Sequence, residues 1–365
     1  MPQSKDVDPR LDGWLAEVWS QQGSDLLFHS GRPVRQRVNG EFSNVQDIPV
    51  DEGLIREIVR GLMSPAQFKR LEEMGECDFA FSWGDEARIR GNAYREQNRL
   101  ALALRLLPNR VPTFDELALH PTIRNLATEN QGFVLICGRT GAGKSTTLAS
   151  IGREIAETRP LHVLTIEDPI EYILQPGRSS VSQREVGTDT ASFASAIKAC
   201  LRQTPDVIFL GEMRDTESIE TALTIAETGH LVFSTAHTND AAGALDRILD
   251  AVPSSDYNQV RASLAAALTA VVSQRLLPRK GGGRQVAVFE VLLATTAVRN
   301  LIRRGAIANL VSQMEMEERE GMVSLNHSLA AAVVADEIEE EVAFATTSDP
   351  TGLGMKITRL QTERR

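Results

Sequence analysis

The chain has 365 residues, of which 42% are hydrophobic and 24% are charged, a composition typical of a globular protein with room for two domains. Its formal net charge of −10 argues against a general nucleic-acid coat, because binding along a phosphate backbone needs a positive field. No apolar run reaches the length of a membrane span, and the N-terminal residues lack the apolar stretch of a signal peptide. We therefore expect a cytoplasmic protein without a membrane span or a nucleic-acid partner.

The N-terminal part of the chain predicts a small α+β domain. Apolar residues recur at helical spacing over residues 11–19 and 51–74, and Asn39-Gly40 between alternating segments is a strong hairpin signal. The segments "DFAFSW", "ARIRGNAY" and "LALALRLL" indicate three further strands. Two prolines and a change of pattern follow, so we place this domain at 1–107 and a linker at 108–113.

Beyond the linker, predicted strands alternate with predicted helices. The apolar segments "FVLICG", "HVLTIED", "DVIFLGE" and "HLVFSTAH" are separated by helical patterns, which indicates a parallel sheet covered on both faces. Thr113 and Glu116 form a capping-box pattern for the first of these helices, and residues 258–275 predict one long helix. We place the α/β core at 114–275, a C-terminal strand and helices at 276–345, and a disordered tail at 346–365.

A phosphate-binding loop follows the first strand of this core. The sequence "GRTGAGKS" fits the pattern G-x-x-x-x-G-K-S, whose glycines let backbone N–H groups surround a phosphate at a helix N-terminus. In such loops the lysine reaches the β- and γ-phosphates and the serine ligates Mg²⁺. The predicted nucleotide-binding residues are Gly138, Thr140, Gly141, Ala142, Gly143, Lys144, Ser145 and Thr146.

Acidic and histidine side chains stand at the ends of the neighbouring predicted strands. Glu167 and Asp168 end one strand and Glu212 ends another, so in a parallel sheet all three face the same edge as the phosphate loop. Such carboxylates hold Mg²⁺ or orient the attacking water, although Asp168 also suits a helix N-cap. His237 ends a third strand, whereas His230 precedes that strand and suits a structural role as well as a functional one.

Several longer motifs resemble the secretion ATPase superfamily that drives type II secretion and type IV pili. The motifs are "GRTGAGKSTTLA", "TIEDPIEY", "AETGHLVFSTAHTNDA" and "DRILDAVP", and the resemblance runs from about residue 24 to about residue 345. Within the superfamily, "ECDFAFSW", "AVRNLIRRG" and "GMVSLNHSL" resemble the pilus retraction branch. The chain also lacks the four-cysteine zinc pattern that pilus assembly and type II secretion members usually carry.

This resemblance implies a hexameric ring of identical chains, each with a PAS-like N-terminal domain and a RecA-like ATPase domain followed by C-terminal helices. It implies ATP and Mg²⁺ as cofactors, with ATP at the cleft between the domains. Glu167 is then the expected general base and Glu212 the acid near Mg²⁺, with Ser145 as a further ligand, directly or through water; which carboxylate is the base stays open. His230 and His237 correspond to the family's histidine box.

The resemblance also assigns residues outside the nucleotide core. Arg88, Arg90 and Arg105 match arginines that reach the phosphates, although solvent-facing strand residues would have the same pattern. The element tied to pilus retraction comprises Ala297, Arg299, Asn300, Leu301, Ile302 and Arg303, which alone would indicate an ordinary basic amphipathic helix. An inner-membrane platform protein of the pilus is the implied partner, and it would hold the motor at the inner face of the membrane.

Other functions share parts of this pattern. "STAHTNDA" is closer to assembly ATPases or to the accessory retraction paralogue, so that paralogue, a pilus-extension motor and a type II or type IV secretion motor stay open. Glu167, Glu212 and Lys144 together argue against a regulator that binds ATP without turnover. The acidic charge balance argues against a RecA-type nucleic-acid motor.

Overall fold

A computed structural model describes residues 7–38, 40–84, 86–108, 110–213 and 215–363. The chain divides into two compact units. One comprises Met1–Val111 together with Pro169–Ile173, and the other comprises Pro112–Asp168 and Leu174–Arg365. The short segment of the first unit that comes from the middle of the chain follows directly on the Glu167-Asp168 pair.

The N-terminal unit is built on an antiparallel six-stranded sheet with the order β3-β2-β1-β6-β5-β4. Apolar residues of three helices and of one sheet face form a single core, because alternate residues of each strand point to that face. The elements are α1 (Pro9–Ser20), β1 (Asp25–His29), β2 (Arg32–Val38), β3 (Glu41–Val50), α2 (Glu52–Leu62), α3 (Pro65–Met74), β4 (Glu76–Trp83), β5 (Ala87–Glu96) and β6 (Arg99–Pro108).

The helix predicted over 51–74 is wrong as a single element, because two helices form there. Ser64 Oγ accepts a hydrogen bond from the N–H of Gln67, and Gln67 Oε1 accepts one from the N–H of Ser64, so a capping box begins a new helix at Pro65. The predicted hairpin between β2 and β3 is confirmed by the antiparallel pairing of Val38 with Glu41. Asn39 lies outside the described residues.

The second unit holds a seven-stranded sheet with the order β13-β12-β7-β11-β10-β8-β9, parallel except for the β12–β13 pair. The predicted α/β architecture is confirmed. The strands are β7 (Gly132–Cys137), β8 (His162–Glu167), β9 (Ser180–Glu185), β10 (Val207–Glu212), β11 (Leu231–Ala236), β12 (Leu268–Leu277) and β13 (Val286–Leu293).

Helices connect and cover these strands and continue to the end of the described chain. They are α4 (Pro121–Leu126), α5 (Lys144–Thr158), α6 (Phe193–Cys200), α7 (Thr216–Glu227), α8 (Ala241–Asp250), α9 (Tyr257–Ala267), α10 (Thr296–Arg304), α11 (Leu310–Met316), α12 (Leu325–Val334), α13 (Glu340–Thr346) and α14 (Pro350–Glu363). Among the helices of the described ranges, none is both long and apolar enough to cross a membrane.

Two predictions of secondary structure in this unit are wrong. The long helix predicted over 258–275 ends at Ala267, and the chain continues as β12, because a strand buried on both faces has the same unbroken apolar run as a buried helix. Thr113 and Glu116 do exchange the hydrogen bonds of a capping box, yet a turn follows, and α4 begins only at Pro121. Ala118 has a φ of 49°, which is incompatible with continuing a helix.

The disordered tail predicted over 346–365 is also contradicted within the described residues. Helix α14 packs on α12, and its Leu353 and Ile357 are buried in a small apolar cluster with Leu329. Asn326 donates a hydrogen bond of 3.0 Å to the carbonyl oxygen of Asp349 and so fixes the start of this helix. Burial of a few apolar side chains therefore orders a segment whose sequence alone is mostly polar.

Candidate nucleotide site

The phosphate loop follows the carboxyl end of β7, and β7 lies between β12 and β11 in the sheet. Gly138 and Gly143 pack closely against Gln274 of β12. A Cβ atom at Gly138 would lie 2.5 Å from the Gln274 carbonyl oxygen, and one at Gly143 would lie 2.9 Å from Gln274 Nε2. Both glycines also have positive φ values, 153° and 84°, so only glycine fits this loop without strain.

Helix α5 starts at Lys144, immediately after the loop. Gly143 is its N-cap and supplies no side-chain hydrogen bond to the first turn. The first-turn N–H groups and the positive end of the helix dipole therefore favour an anion at this end of the helix. This geometry, with the two closely packed glycines, fits the phosphates of a nucleotide.

Lys144 extends back along the loop rather than into solvent. Its side chain is 8% exposed, and its Nζ donates to the carbonyl oxygens of Gly138 at 2.8 Å and Arg139 at 3.1 Å. The same Nζ lies 3.4 Å from His237 Nδ1. The ammonium group of Lys144 is thus held in a position from which it can bind the phosphates.

Glu212 and His237 meet beside this lysine. Glu212 is the last residue of β10, His237 follows the neighbouring strand β11, and His237 Nε2 lies 3.6 Å from Glu212 Oε2. The imidazole therefore stands between the ammonium group of Lys144 and the carboxylate of Glu212. Such a ring can change its partners when a charged phosphate arrives.

Glu167 ends β8, the strand on the other side of β10. Its Oε1 accepts hydrogen bonds from Thr165 Oγ1 at 2.6 Å and from Gln183 Nε2 at 3.2 Å. Both donors hold the carboxylate in one orientation. Asp168 is exposed and begins no helix of the described chain, so its alternative assignment as an N-cap is wrong.

His230 lies at the opposite end of β11 from His237. Six strand residues separate the two histidines, which corresponds to more than about 20 Å. His230 Nδ1 is 3.1 Å from the carbonyl oxygen of Ile225, and its backbone oxygen accepts from the N–H of Gly132. Within one chain, His230 is therefore separated from Lys144 by the length of β11, as expected from its place before that strand.

The three arginines of the N-terminal unit share one face of its sheet. Arg88 and Arg90 alternate on β5, and Arg105 of β6 stands directly opposite Arg90. Arg105 Nε donates to Asp25 Oδ1 at 2.9 Å. Arg90 pairs with Glu171 at 3.6 Å, while Arg88 Nε donates weakly, at 3.4 Å, to the carbonyl oxygen of Ile170.

The element "AVRNLIRRG" forms α10, and its residues have different environments. Ile302 is fully buried in the core, and Leu301 packs against that core while Ala297 is partly buried. Arg299 donates from Nη1 to the carbonyl oxygens of Ala265 and Ala266, near the end of α9, and from Nε to Ala294. Asn300 and Arg303 are exposed and bond to each other.

Gln274 is one residue of this site that no pattern in the sequence predicted. It lies in β12, is 3% exposed, and accepts a hydrogen bond of 2.7 Å from Thr147 Oγ1 of α5. An amide inside the apolar run "LTAVVSQRLL" is the signal that could have identified it, since buried polar side chains need partners.

Burial shifts the pKa of two ionisable groups, one directly before the phosphate loop and one at the start of α8. Burial raises the pKa of Cys137, which directly precedes the loop, to about 12, so this thiol stays protonated and unreactive. Burial likewise raises the pKa of Glu290, whose Oε1 accepts from the N–H of Ala241 at 2.6 Å, at the start of α8. In the described part of the chain, no group of three or more His, Cys, Asp or Glu side chains is placed to hold a metal.

Comparisons with known proteins identify the family of this chain. The family model "Type II/IV secretion system protein" matches residues 99–341. The type IV pilus retraction ATPase PilT of Pseudomonas aeruginosa is 39% identical over 90% of this chain and 95% of its own length. The type IV pilus ATPase PilU of the same organism is 38% identical over 92% of this chain and 88% of its own.

A solved structure is similar over nearly the whole fold. The crystal structure of the pilus retraction motor PilT with bound ADP has a TM-score of 0.87 and 40% identity, and the match covers 94% of this chain and 99% of that one.

Proposed function

The chain belongs to the type II/IV secretion system protein family, and we propose that it is an ATPase whose hydrolysis of ATP powers type IV pilus retraction and twitching motility. The observation that carries this proposal is the contact chain from Lys144 through His237 to Glu212 beside a glycine loop that fits phosphates. It sets a cation, a sensor and an acid at one edge of the sheet, as phosphoryl transfer to water requires.

The phosphate loop and the start of α5 bind the phosphates, with Gly138, Thr140, Gly141, Ala142, Gly143 and Thr146 around Lys144. Ser145 and Glu212 are the residues that would hold Mg²⁺, directly or through water. Bound there, the ion neutralises charge on the β- and γ-phosphates. Ser145 is exposed at the first turn of α5 and carries the hydroxyl that this role needs.

Glu167 is our candidate for the general base. Two hydrogen bonds to its Oε1 fix the carboxylate at the end of β8, where it can orient the attacking water. His237 then senses the γ-phosphate, because a new anion competes with Glu212 for the imidazole. His230 has a supporting role at the other end of β11.

The wider assembly is part of the same proposal. Six copies of the chain form a ring, and Arg88, Arg90 and Arg105 supply cations to the phosphates, which links nucleotide state to domain movement. The exposed Asn300 and Arg303 of α10 face a pilus platform protein of the inner membrane. This partner holds the motor on the cytoplasmic side of that membrane.

An accessory retraction motor is the second candidate. The similarity to PilU nearly equals the similarity to PilT, and the segment "TNDA" after His237 resembles the accessory type as well as assembly ATPases. The two candidates differ in whether the chain alone suffices for retraction.

The test combines purified protein with cells. Lys144→Ala should abolish nucleotide binding, while Glu212→Ala should bind ATP and hydrolyse it at least about a hundredfold more slowly. Gln361→Ala, at an exposed position of α14, is the matched control and should match wild type. Normal turnover in Lys144→Ala would refute the nucleotide site.

Cells that lack the gene separate the motor types. Excess surface pili without twitching, restored by wild type and not by Glu212→Ala, support a principal retraction motor. Twitching that fails only under load, or only when a second retraction motor is absent, supports the accessory candidate. Cells without pili would refute retraction and indicate an extension motor.

A further inference from the structure

Three consecutive residues of β12 contact both loops of the nucleotide site. Ser273 and Gln274 are each 3% exposed, and Arg275 is half-buried. Because side chains alternate along a strand, Gln274 points to one face of the sheet while Ser273 and Arg275 point to the other. These three residues, which we call the SQR segment, therefore contact structures on both faces.

On one face, Gln274 supports the phosphate loop. Its Oε1 accepts from Thr147 Oγ1 at 2.7 Å, a buried bond to the first turns of α5. Its carbonyl oxygen and Nε2 are the atoms against which Gly138 and Gly143 pack. Both ends of the loop thus rest on one residue.

On the other face, the SQR segment holds the loop that carries His237. The carbonyl oxygen of Asn239 accepts from Ser273 Oγ at 3.0 Å and from Arg275 Nη2 at 3.0 Å. Asn239 Oδ1 also accepts from Arg139 Nε of the phosphate loop at 3.0 Å. Asn239 lies two residues after His237, so these bonds limit where the imidazole can stand.

Arg275 extends this connection to the C-terminal helices. Its second nitrogen, Nη1, donates to the carbonyl oxygen of Thr346 at 2.9 Å, at the last residue of α13. One planar guanidinium therefore bridges the His237 loop and α13, a geometry that the single ammonium of lysine cannot reproduce.

We propose that the SQR segment is a positioning element: Gln274 sets the phosphate loop for nucleotide binding, and Ser273 and Arg275 set the His237 loop for turnover. The inference rests on the proposed ATPase site. It predicts that substitutions on one face of the strand change ADP affinity and substitutions on the other face change kcat. General destabilisation of the fold would not separate the two in this way.

The first test concerns Gln274 and Thr147. Gln274→Met keeps the volume and removes the acceptor, and Thr147→Val keeps the shape and removes the donor. Each change should weaken ADP binding about tenfold, because a buried polar group loses its partner. The double variant should be no weaker than the worse single variant, since both changes break one bond. Losses that multiply, or unchanged ADP affinity in both single variants, would overturn the assignment of Gln274.

The second test concerns Arg275. Arg275→Ala should lower kcat about tenfold and leave ADP affinity within about threefold of wild type, and Arg275→Lys should recover only part of the loss. Arg284→Ala, an exposed arginine between β12 and β13, is the matched control. Wild-type kcat in Arg275→Ala, or equal losses in kcat and ADP affinity, would overturn the role in turnover. ADP binding is measured separately, so a wild-type protein that binds ADP without hydrolysing ATP would refute the motor and still test Gln274.

Discussion

Arg299 tests which residues of α10 stabilise the fold and which bind a partner. Its Nη1 donates to the carbonyl oxygens of Ala265 and Ala266, which belong to the last turn of α9 and lack partners within that helix. Its Nε donates at 2.9 Å to the carbonyl oxygen of Ala294. Arg299→Ala removes all three bonds together with a cation at a helix C-terminus.

The expected cost is about 2 kcal/mol in the free energy of unfolding. Hydrogen bonds to a charged group contribute roughly 1.5–3 kcal/mol, and partial exposure of these carbonyls lets water replace part of that. Asn300→Ala, one residue further on the exposed face, should cost less than about 0.5 kcal/mol. For a domain of this size the difference corresponds to roughly 4–8 °C in Tm.

The assay is thermal and urea unfolding of the full chain, followed by ATP turnover and twitching for each variant. Arg299→Ala should lose stability, whereas Asn300→Ala should keep both stability and turnover and lose twitching. Equal stability of the two variants would refute the helix-capping role of Arg299. Normal twitching in Asn300→Ala would instead remove that residue from the partner surface.

Three further predictions concern other parts of the chain. Because burial raises the pKa of Glu290, its ionisation opposes folding increasingly as pH rises from the unfolded-state pKa to the folded-state pKa. Glu290→Gln should therefore raise Tm at about pH 8 and have little effect on Tm at about pH 4. A larger gain in Tm at acidic pH would contradict this. Leu353→Ala should cost about 2–4 kcal/mol of local stability and speed hydrogen exchange in α14, whereas Met355→Ala, 66% exposed, should match wild type; equal exchange in both variants would count against a packed C-terminal helix. His230→Ala should lower Tm slightly and reduce kcat less than His237→Ala; an equal fall in kcat at unchanged Tm would assign His230 to catalysis.

Local patterns in the sequence predicted much of the nucleotide site. The glycine spacing and Lys144 match the pattern of a phosphate-binding loop. The position of the acidic residues at the same edge of the sheet follows from the common direction of parallel strands. The alternating strands and helices likewise predicted the α/β architecture. These features depend on short stretches of chain whose chemistry is the same in any surroundings.

Elements whose state depends on burial were predicted less well. β12 has an unbroken apolar run that suits a buried helix as well as a buried strand. Its pairing with β7 and β13 decides that it is a strand. The polar edge strand β9 shows little apolar signal and was not predicted at all. Helix α14 forms because Leu353 and Ile357 pack into an apolar cluster with residues that are distant in the sequence.

The sequence by itself therefore determined the phosphate loop, the acids near it and the fold class, because these follow from local spacing and strand direction. Only the tertiary structure decided that Gln274 supports the loop and that Arg299 caps α9. Both contacts join residues distant in the chain, and the free energy of such contacts comes from burial and hydrogen bonding that exist only after folding.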